Sequence, residues 1–252
     1  MHVVITGASA GIGEALAREF HKRGATLSLL ARRKEKLDAL AKELGKRVFV
    51  YGADLADPKA ASKSVAACVR DQGAVDVLVN NAGVQIIAPA TTTDPDEGEQ
   101  LLSLNVATPL RLIRDLLPSM VERGTGTIVN VASMAALSPV PNMLYYNASK
   151  GGLANASEAL RGELAGTGVN VVTVYPGPVH TDMGDKGIAK YQSTAAADFA
   201  PWGTSDVLAE LVVRAVELRR ARVIYPKAYS VSLWFPNVSR WFSLKFAPPL
   251  RG

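Results

Sequence analysis

Tyr146 and Lys150, in the run Tyr146-Asn147-Ala148-Ser149-Lys150, stand four residues apart. On a helix that spacing puts both side chains on one face, within reach of the same small volume. An unperturbed tyrosine titrates near pH ~10 and is a poor base at neutral pH. A fixed ammonium beside it favours the phenolate and lowers that value. The pair therefore reads as a proton donor and acceptor for work near neutrality. The spacing alone is weak evidence, because Tyr and Lys meet this way by chance on many helices. It gains weight from other chemistry-bearing segments that fall where the same reaction would want them.

Residues so far apart in the chain need a frame that gathers them. Strand-like and helix-like runs alternate almost from end to end. Val3-Val4-Ile5 is a short apolar run, and Ile12 to Arg23 predicts a helix with Ile12, Leu16 and Phe20 on one stripe. A strand over 26–31, a helix over 34–44, a strand over 47–51 and a helix opened by Pro58 follow. Cys68 falls late in that helix, as a small buried hydrophobe. Further strands are expected over 75–80, 127–131, 169–175 and 222–225. Further helices are expected over 97–122, bent near Pro109, from Tyr146 to about 165, and over 205–219. Such alternation implies parallel strands with right-handed crossovers. Strands that are apolar throughout imply helices on both faces. The expected fold is α/β, a Rossmann-type doubly wound parallel sheet of about seven strands, with its ligand crevice at the carboxyl ends of the strands.

The 252 residues suffice for one well-cored domain and are marginal for two. With 48% hydrophobic and 20% charged residues the chain is an ordinary globular one. The single cysteine excludes an internal disulfide and a cysteine metal cluster. The three histidines have no metal-ligand spacing, so no metal is expected. The net charge of +5 mixes bases with acids, as in Arg32-Arg33-Lys34-Glu35-Lys36, with no one-signed stripe. Nucleic acid is therefore not an expected partner. An anionic ligand or a membrane surface stays open. No run approaches the ~18 apolar residues of a transmembrane helix. A strand-like run beginning at His2 leaves no room for a leader. The expected location is cytoplasmic, which the lone cysteine fits.

Thr6-Gly7-Ala8-Ser9-Ala10-Gly11-Ile12-Gly13 joins the first strand to the first helix. Glycines let a backbone turn tightly and come close to a ligand, and the helix start offers N–H groups and a positive dipole end to a pyrophosphate. The spacing is G-x-x-x-G-x-G rather than the general G-x-G-x-x-G dinucleotide fingerprint. Gly7, Ser9, Ala10, Gly11, Ile12 and Gly13 are the candidate phosphate contacts. After the second strand come Arg32 and Arg33, with no acid until Glu35. An acid there would hold a ribose 2′-hydroxyl; a guanidinium suits a 2′-phosphate. NADP(H) is therefore favoured over NAD(H), with Arg32 the better candidate. Asp54, followed by Leu55, could meet an adenine edge or equally serve as a capping or turn residue. Asn81, Ala82 and Gly83 end the fourth strand with small residues against which a sugar could lie.

Ser133 ends the fifth strand, and Asn105 lies inside the long helix, where Asn is a poor helix former and a polar residue suggests a local task such as holding a water or bending the helix. Read singly, Ser133 is a loop hydroxyl and Asn105 a tolerated surface amide. Taken together, Thr6 to Gly13, Asp54, Asn80 to Gly83, Asn105, Ser133, Tyr146 with Lys150, and Pro176-Gly177-Pro178-Val179-His180-Thr181 resemble the short-chain dehydrogenase/reductase family. The resemblance covers roughly residues 1 to 225. It implies that Tyr146 is the general acid/base and that Ser133 positions the substrate oxygen. It further implies that Lys150 binds the nicotinamide ribose and lowers the Tyr146 pKa, and that Asn105 holds a water in a proton relay. It also implies that Pro176, Gly177, Val179 and Thr181 contact the nicotinamide. His180 belongs to the loop after the sixth strand and at most touches substrate.

A substrate lid is expected over about 183–203, with Met183, Ile188, Tyr191, Phe199 and Trp202 suggesting an apolar pocket. Ala135, Leu137, Val140, Asn142 and Met143 are candidates for the other wall. The chain divides into a catalytic domain over 1–226 and a C-terminal aromatic and basic tail over 227–252. That tail reads as a membrane-surface or subunit contact, or as a terminal segment that packs on its own chain or covers the pocket. Pro236 and Pro248-Pro249 argue against one long amphipathic helix. The expected activity is NADP(H)-dependent interconversion of an apolar ketone or aldehyde and an alcohol, by a homodimer or homotetramer. The alternatives are a membrane-associated lipid, steroid or ketoacyl reductase of the same family, and a catalytically silent dinucleotide-binding regulator.

Overall fold

The computed structural model describes residues 1–194 and 200–251. Six strands follow one another in the chain: β1 (His2–Thr6), β2 (Thr26–Ala31), β3 (Val48–Gly52), β4 (Val77–Asn80), β5 (Gly126–Val131) and β6 (Val169–Pro176). Two residues each make β7 (Val179–His180) and β8 (Gly203–Thr204), which pair only with one another. β9 (Arg222–Tyr225) completes a seven-stranded sheet in the order β3-β2-β1-β4-β5-β6-β9. All its pairings are parallel; Val3 faces Leu27 on one side and Val77 on the other. The doubly wound sheet is the expected fold.

Both faces of the central strands are covered, which is why they read as uninterrupted apolar runs. One core packs α1 (Gly11–Lys22), α2 (Lys34–Leu44) and α8 (Ser205–Glu217) on the sheet through Leu16, Phe20, Leu37 and Val212. The opposite core packs α3 (Pro58–Gln72), α5 (Thr108–Glu122) and the end of α6 (Leu144–Glu163) through Val65, Cys68, Leu112 and Leu164. Full burial of such a leucine contributes about 2 kcal/mol each. Cys68 is buried, as its place in the helix predicted. Helix-to-strand returns lie along the amino-terminal rim, at Gly24, Gly45, Gly73 and Gly124. Order reverses between β1 and β4, which opens a crevice at the carboxyl rim.

The helix expected over 97–122 is two helices. α4 (Pro95–Leu102) starts earlier, capped by Asp94, whose side chain accepts from the Asp96 N–H at 2.8 Å. A π-turn over Ser103–Ala107 joins it to α5. The irregularity lies at Asn105 rather than at Pro109, which sits near the start of α5, where a missing N–H is tolerated. The stretch after β6, where a substrate lid is expected, contains α7 (Asp182–Ile188), capped by the Thr181 hydroxyl. The tail folds as a 3₁₀ turn (Lys227–Ser230), α9 (Val231–Trp234) and α10 (Pro236–Lys245), with the break at Pro236. Among the described residues no helix is long and apolar enough to cross a membrane.

Candidate active site

The carboxyl rim holds a crevice of about 1260 Å³. At one end Thr6 ties β1 to β4. Its hydroxyl donates to the Val79 carbonyl at 3.1 Å and accepts from the Asn81 and Ala82 N–H groups at 3.0 and 3.1 Å. The Asn81 amide donates to the Thr6 carbonyl at 3.0 Å and the Gly7 carbonyl at 3.2 Å. Gly7 has φ +70°, and a Cβ on it would lie 2.8 Å from the Ala82 Cα. The turn therefore closes only around glycine. Ser9, Ala10, Gly11 and Ile12 line the crevice, and no side chain caps α1 at Ala10. That leaves the helix start facing open space, where an anion is favoured. Gly13 is not on the crevice surface. A Cβ there would collide with the Gly7 carbonyl, so Gly13 lets α1 pack under the turn.

Arg32, Arg33, Asp54, Leu55, Ala82 and Gly83 line the same end. The Arg33 guanidinium donates to the Ser9 hydroxyl at 2.9 Å. Geometry thus gives Arg33, rather than the favoured Arg32, a hold on the glycine turn. Asp54 accepts from the Ala56 N–H at 3.1 Å, a turn role that leaves its other oxygen for the crevice. The helix cap is Asp57, not Asp54.

At the centre of the crevice lie Ser133, Tyr146 and Lys150. Lys150 is 5% exposed and its ammonium donates to the Val131 carbonyl at 2.8 Å. Burial pulls its pKa down to about 8. The ammonium lies 5.9 Å from the centre of the Tyr146 ring. Burial also pushes the Tyr146 phenol above its usual value, and a hydrogen bond from Ser133 only partly opposes this. The expected lowering of the phenol is therefore not met in the protein by itself. The cation spends its hydrogen bond on Val131, and desolvation of the phenolate wins. Ser133 caps a short 3₁₀ turn, accepting from the Ala135 N–H at 3.1 Å.

Asn105 is fully buried and is not a surface amide. It stands behind the crevice wall. Its Oδ1 accepts from the Val84 N–H, and its Nδ2 donates to the Val84 carbonyl and, at 3.1 Å, to the Ser149 hydroxyl. Ser149 in turn donates to the Tyr146 carbonyl at 2.8 Å. A chain of three hydrogen-bonding groups thus links the π-turn to the helix that carries Tyr146. Ser149 was not singled out from the sequence, although it lies three residues from Tyr146 and on the inner face. A Cβ on Gly83 would lie 3.0 Å from Asn105 Oδ1 and 3.4 Å from Lys150 Nζ, which explains a glycine at that point. A second buried chain, Asn80 to Asn130 to Ser157, at 2.8 Å per step, clamps α6 to β4 and β5.

The other end of the crevice is apolar. Of the residues named for its walls, Ala135, Val140, Met143, Met183, Ile188, Tyr191 and Trp202 line it; Leu137 and Asn142 do not. Phe199 lies outside the described residues. Pro176, Gly177, Val179 and Thr181 form the floor between the two ends. His180 is exposed, stacks on Trp202 at 4.6 Å and meets Asp185 at 3.2 Å. α7 is latched shut. Gln85 donates to the Met183 carbonyl at 2.7 Å, Lys190 to the Ile87 carbonyl at 3.2 Å, and Tyr191 to the Pro141 carbonyl at 3.1 Å. Sequence reasoning missed Gln85 and Ile87, which line the crevice. The tail forms one wall, through Tyr229, Phe235 and Phe242, which is the pocket-covering alternative for that segment. Ser243 bonds the Pro139 carbonyl at 2.8 Å, and Arg251 bonds the Tyr191 carbonyl at 2.9 Å. Among the described residues no group of three or more His, Cys, Asp or Glu could hold a metal ion.

Known proteins resemble this chain in sequence and in fold. A fatty acyl-CoA reductase of Mycobacterium tuberculosis is 35% identical over 245 residues, 95% of this chain and 81% of its own length. A short chain dehydrogenase of Pseudocercospora fijiensis is 35% identical over 186 residues, 72% of this chain; the match spans only 60% of that relative's length. A solved short-chain dehydrogenase from Sphingobium yanoikuyae, in complex with NADPH, superposes with a TM-score of 0.82 at 30% identity, covering 95% of this chain and 93% of that one. A 3-ketoacyl-(acyl-carrier-protein) reductase from Brucella melitensis, complexed with NADH, gives 0.80 at 29% identity, covering 89% and 96%. The family model for short chain dehydrogenases matches residues 1–192, which include the glycine turn, Ser133, Tyr146 and Lys150. The chain belongs to the short-chain dehydrogenase/reductase family of oxidoreductases.

Proposed function

We propose that the protein is an NADP(H)-dependent oxidoreductase that interconverts an apolar ketone or aldehyde with an alcohol. The observation that carries this reading is one crevice with Ser133, Tyr146 and Lys150 between a glycine-arginine end and an apolar end. The glycine end fits a dinucleotide. It offers an uncapped helix start, a turn that a Cβ would fill, and two guanidiniums for a 2′-phosphate. When bound, the nicotinamide supplies or accepts the hydride. The residues of the chain do the rest. Ser133 and Tyr146 donate hydrogen bonds to the substrate oxygen as negative charge builds on it. Tyr146 then gives its proton in reduction, or takes one in oxidation. The raised phenol keeps that proton at neutral pH, which suits reduction. Lys150, its ammonium held on the Val131 carbonyl, would keep positive charge near Tyr146 and would bind the ribose of the nicotinamide cofactor. Asn105, through Ser149, fixes the helix that carries Tyr146.

The fatty acyl-CoA and ketoacyl reductase relatives favour a long-chain carbonyl compound as substrate, and the apolar lining agrees. A homodimer or homotetramer is the proposed assembly. Tyr146→Phe tests the reading. The variant should bind NADPH as the parent does, while reduction of a carbonyl panel falls by about 10²-fold or more. Parental turnover in the variant would reject it. Parental protein that binds NADPH but oxidises none with any carbonyl would point to a silent regulator.

A further inference from the structure

The tail has two faces. No residue of α10 is buried, and Trp234, Trp241 and Leu244 are 80%, 56% and 57% exposed. Those three do not line the crevice. Phe235, Val238 and Phe242 belong to both worlds: each is more than half exposed, and each lines the crevice. An apolar path therefore runs from the outer surface of the hairpin into the substrate end. The charge around it has one sign. Residues 227–252 carry Lys227, Arg240, Lys245 and Arg251 and no Asp or Glu. The Lys245 ammonium lies 4.7 Å from the centre of the Trp241 ring, so the aromatic and basic groups share one surface.

We propose that this hairpin docks on an anionic phospholipid surface and that a long-chain carbonyl substrate enters the crevice from that surface. The proposal rests on the oxidoreductase reading for the crevice and on the hairpin alone for the docking. Tryptophan and phenylalanine with basic side chains suit the boundary between headgroups and acyl chains, and helices this short lie on a bilayer rather than cross it. The alternative occupant, a second copy of the segment about a two-fold axis, would bring two Lys245-bearing faces together with no acid in either segment to pair them.

The test uses the full chain with phosphatidylcholine vesicles, with and without phosphatidylglycerol. The parent should co-sediment with the anionic vesicles only, release in high salt, and shift its tryptophan emission to the blue. Trp234→Ser/Trp241→Ser, checked for unchanged Tm, should lose that binding by about tenfold or more. It should keep parental turnover of a short soluble ketone while losing turnover of a long-chain ketone carried in the vesicles. Lys245→Glu should weaken sedimentation in the same direction. No sedimentation of the parent, or equal sedimentation with neutral vesicles, overturns the proposal. So does a self-associated species that the tryptophan variant dissociates while vesicles bind neither protein. Failure of the parent to reduce any soluble carbonyl would sink the oxidoreductase reading, and sedimentation would still decide the docking.

Discussion

The Asn105 side chain pairs with the Val84 backbone as a neighbouring strand would. Its Oδ1 accepts from the Val84 N–H at 3.0 Å, and its Nδ2 donates to the Val84 carbonyl at 3.0 Å. The π-turn supplies the extra residue that swings this amide inward from what would otherwise be a regular helix. The segment after β4, which carries Gly83, is held in this way against the helix pair.

Asn105→Ala should leave the Val84 groups without partners in a dry place and remove the bond that the Ser149 hydroxyl accepts, while Ser149 still donates to the Tyr146 carbonyl. The expected cost is about 2–4 kcal/mol of stability, read as a lower urea midpoint at unchanged slope. Turnover should fall as well, because Ser149 loses one of the bonds that fix it below Tyr146. A variant as stable as the parent would mean that water or a shifted side chain replaces the amide.

Arg33 touches the glycine turn through Ser9, and Arg32 does not. Arg33→Ala should raise the Kd for NADPH by about tenfold, about 1.4 kcal/mol, while leaving the Kd for NADH nearly unchanged. Isothermal titration with both nucleotides reads the difference, with Arg32→Ala run in parallel. Equal losses for the two nucleotides would remove the 2′-phosphate from the account.

Lys150 makes stability depend on alkaline pH. Its folded pKa of about 8 lies below the ordinary value of 10.5. Below pH 8 both folded and unfolded chains carry the proton, and the buried ammonium costs roughly 3 kcal/mol. Between about 8 and 10.5 the folded chain sheds the proton first, so the cost fades as pH rises. Lys150→Met should therefore raise the Tm most at pH 7, with the gain shrinking towards pH 10. A gain that is constant with pH would show that the ammonium is solvated in the folded protein.

Cys68 is sealed under the sheet, and burial pushes its thiol up to about 12. The thiolate that alkylating reagents need is scarce and out of reach. Iodoacetamide should label the protein only at the rate of global unfolding, with labelling accelerated by urea. Rapid labelling of the native protein would require α3 to open locally.

Much of this was legible in the chain. Val3, Val4 and Ile5 announce a strand buried on both faces, and Leu16 and Phe20 announce the stripe that covers it. Tyr146, Lys150 and the glycine turn could be placed because strand ends converge on one rim. Asn105 stood out as a poor helix former, but its burial and its partner Val84 did not, because a lone amide in a helical pattern looks the same whether it faces water or, after a π-turn, the interior. The tail was opaque for a different reason. Its contacts, such as Ser243 with Pro139, join residues 104 apart, and no local period records them. The Tyr146 proton affinity was misjudged because spacing shows a neighbouring charge but not the loss of water around both groups.

Because all seven strands point the same way, the rim at Gly24 and Gly73 is the far side of the molecule from the reacting groups. Both glycines have a left-handed φ, +84° and +83°, that a side chain would strain, so an attachment belongs on their exposed neighbours rather than on the glycines themselves. That rim is the natural place to tether the protein to a bead, an electrode or a fused reporter. Immobilised there, it would keep both its mouth and its aromatic hairpin turned outward.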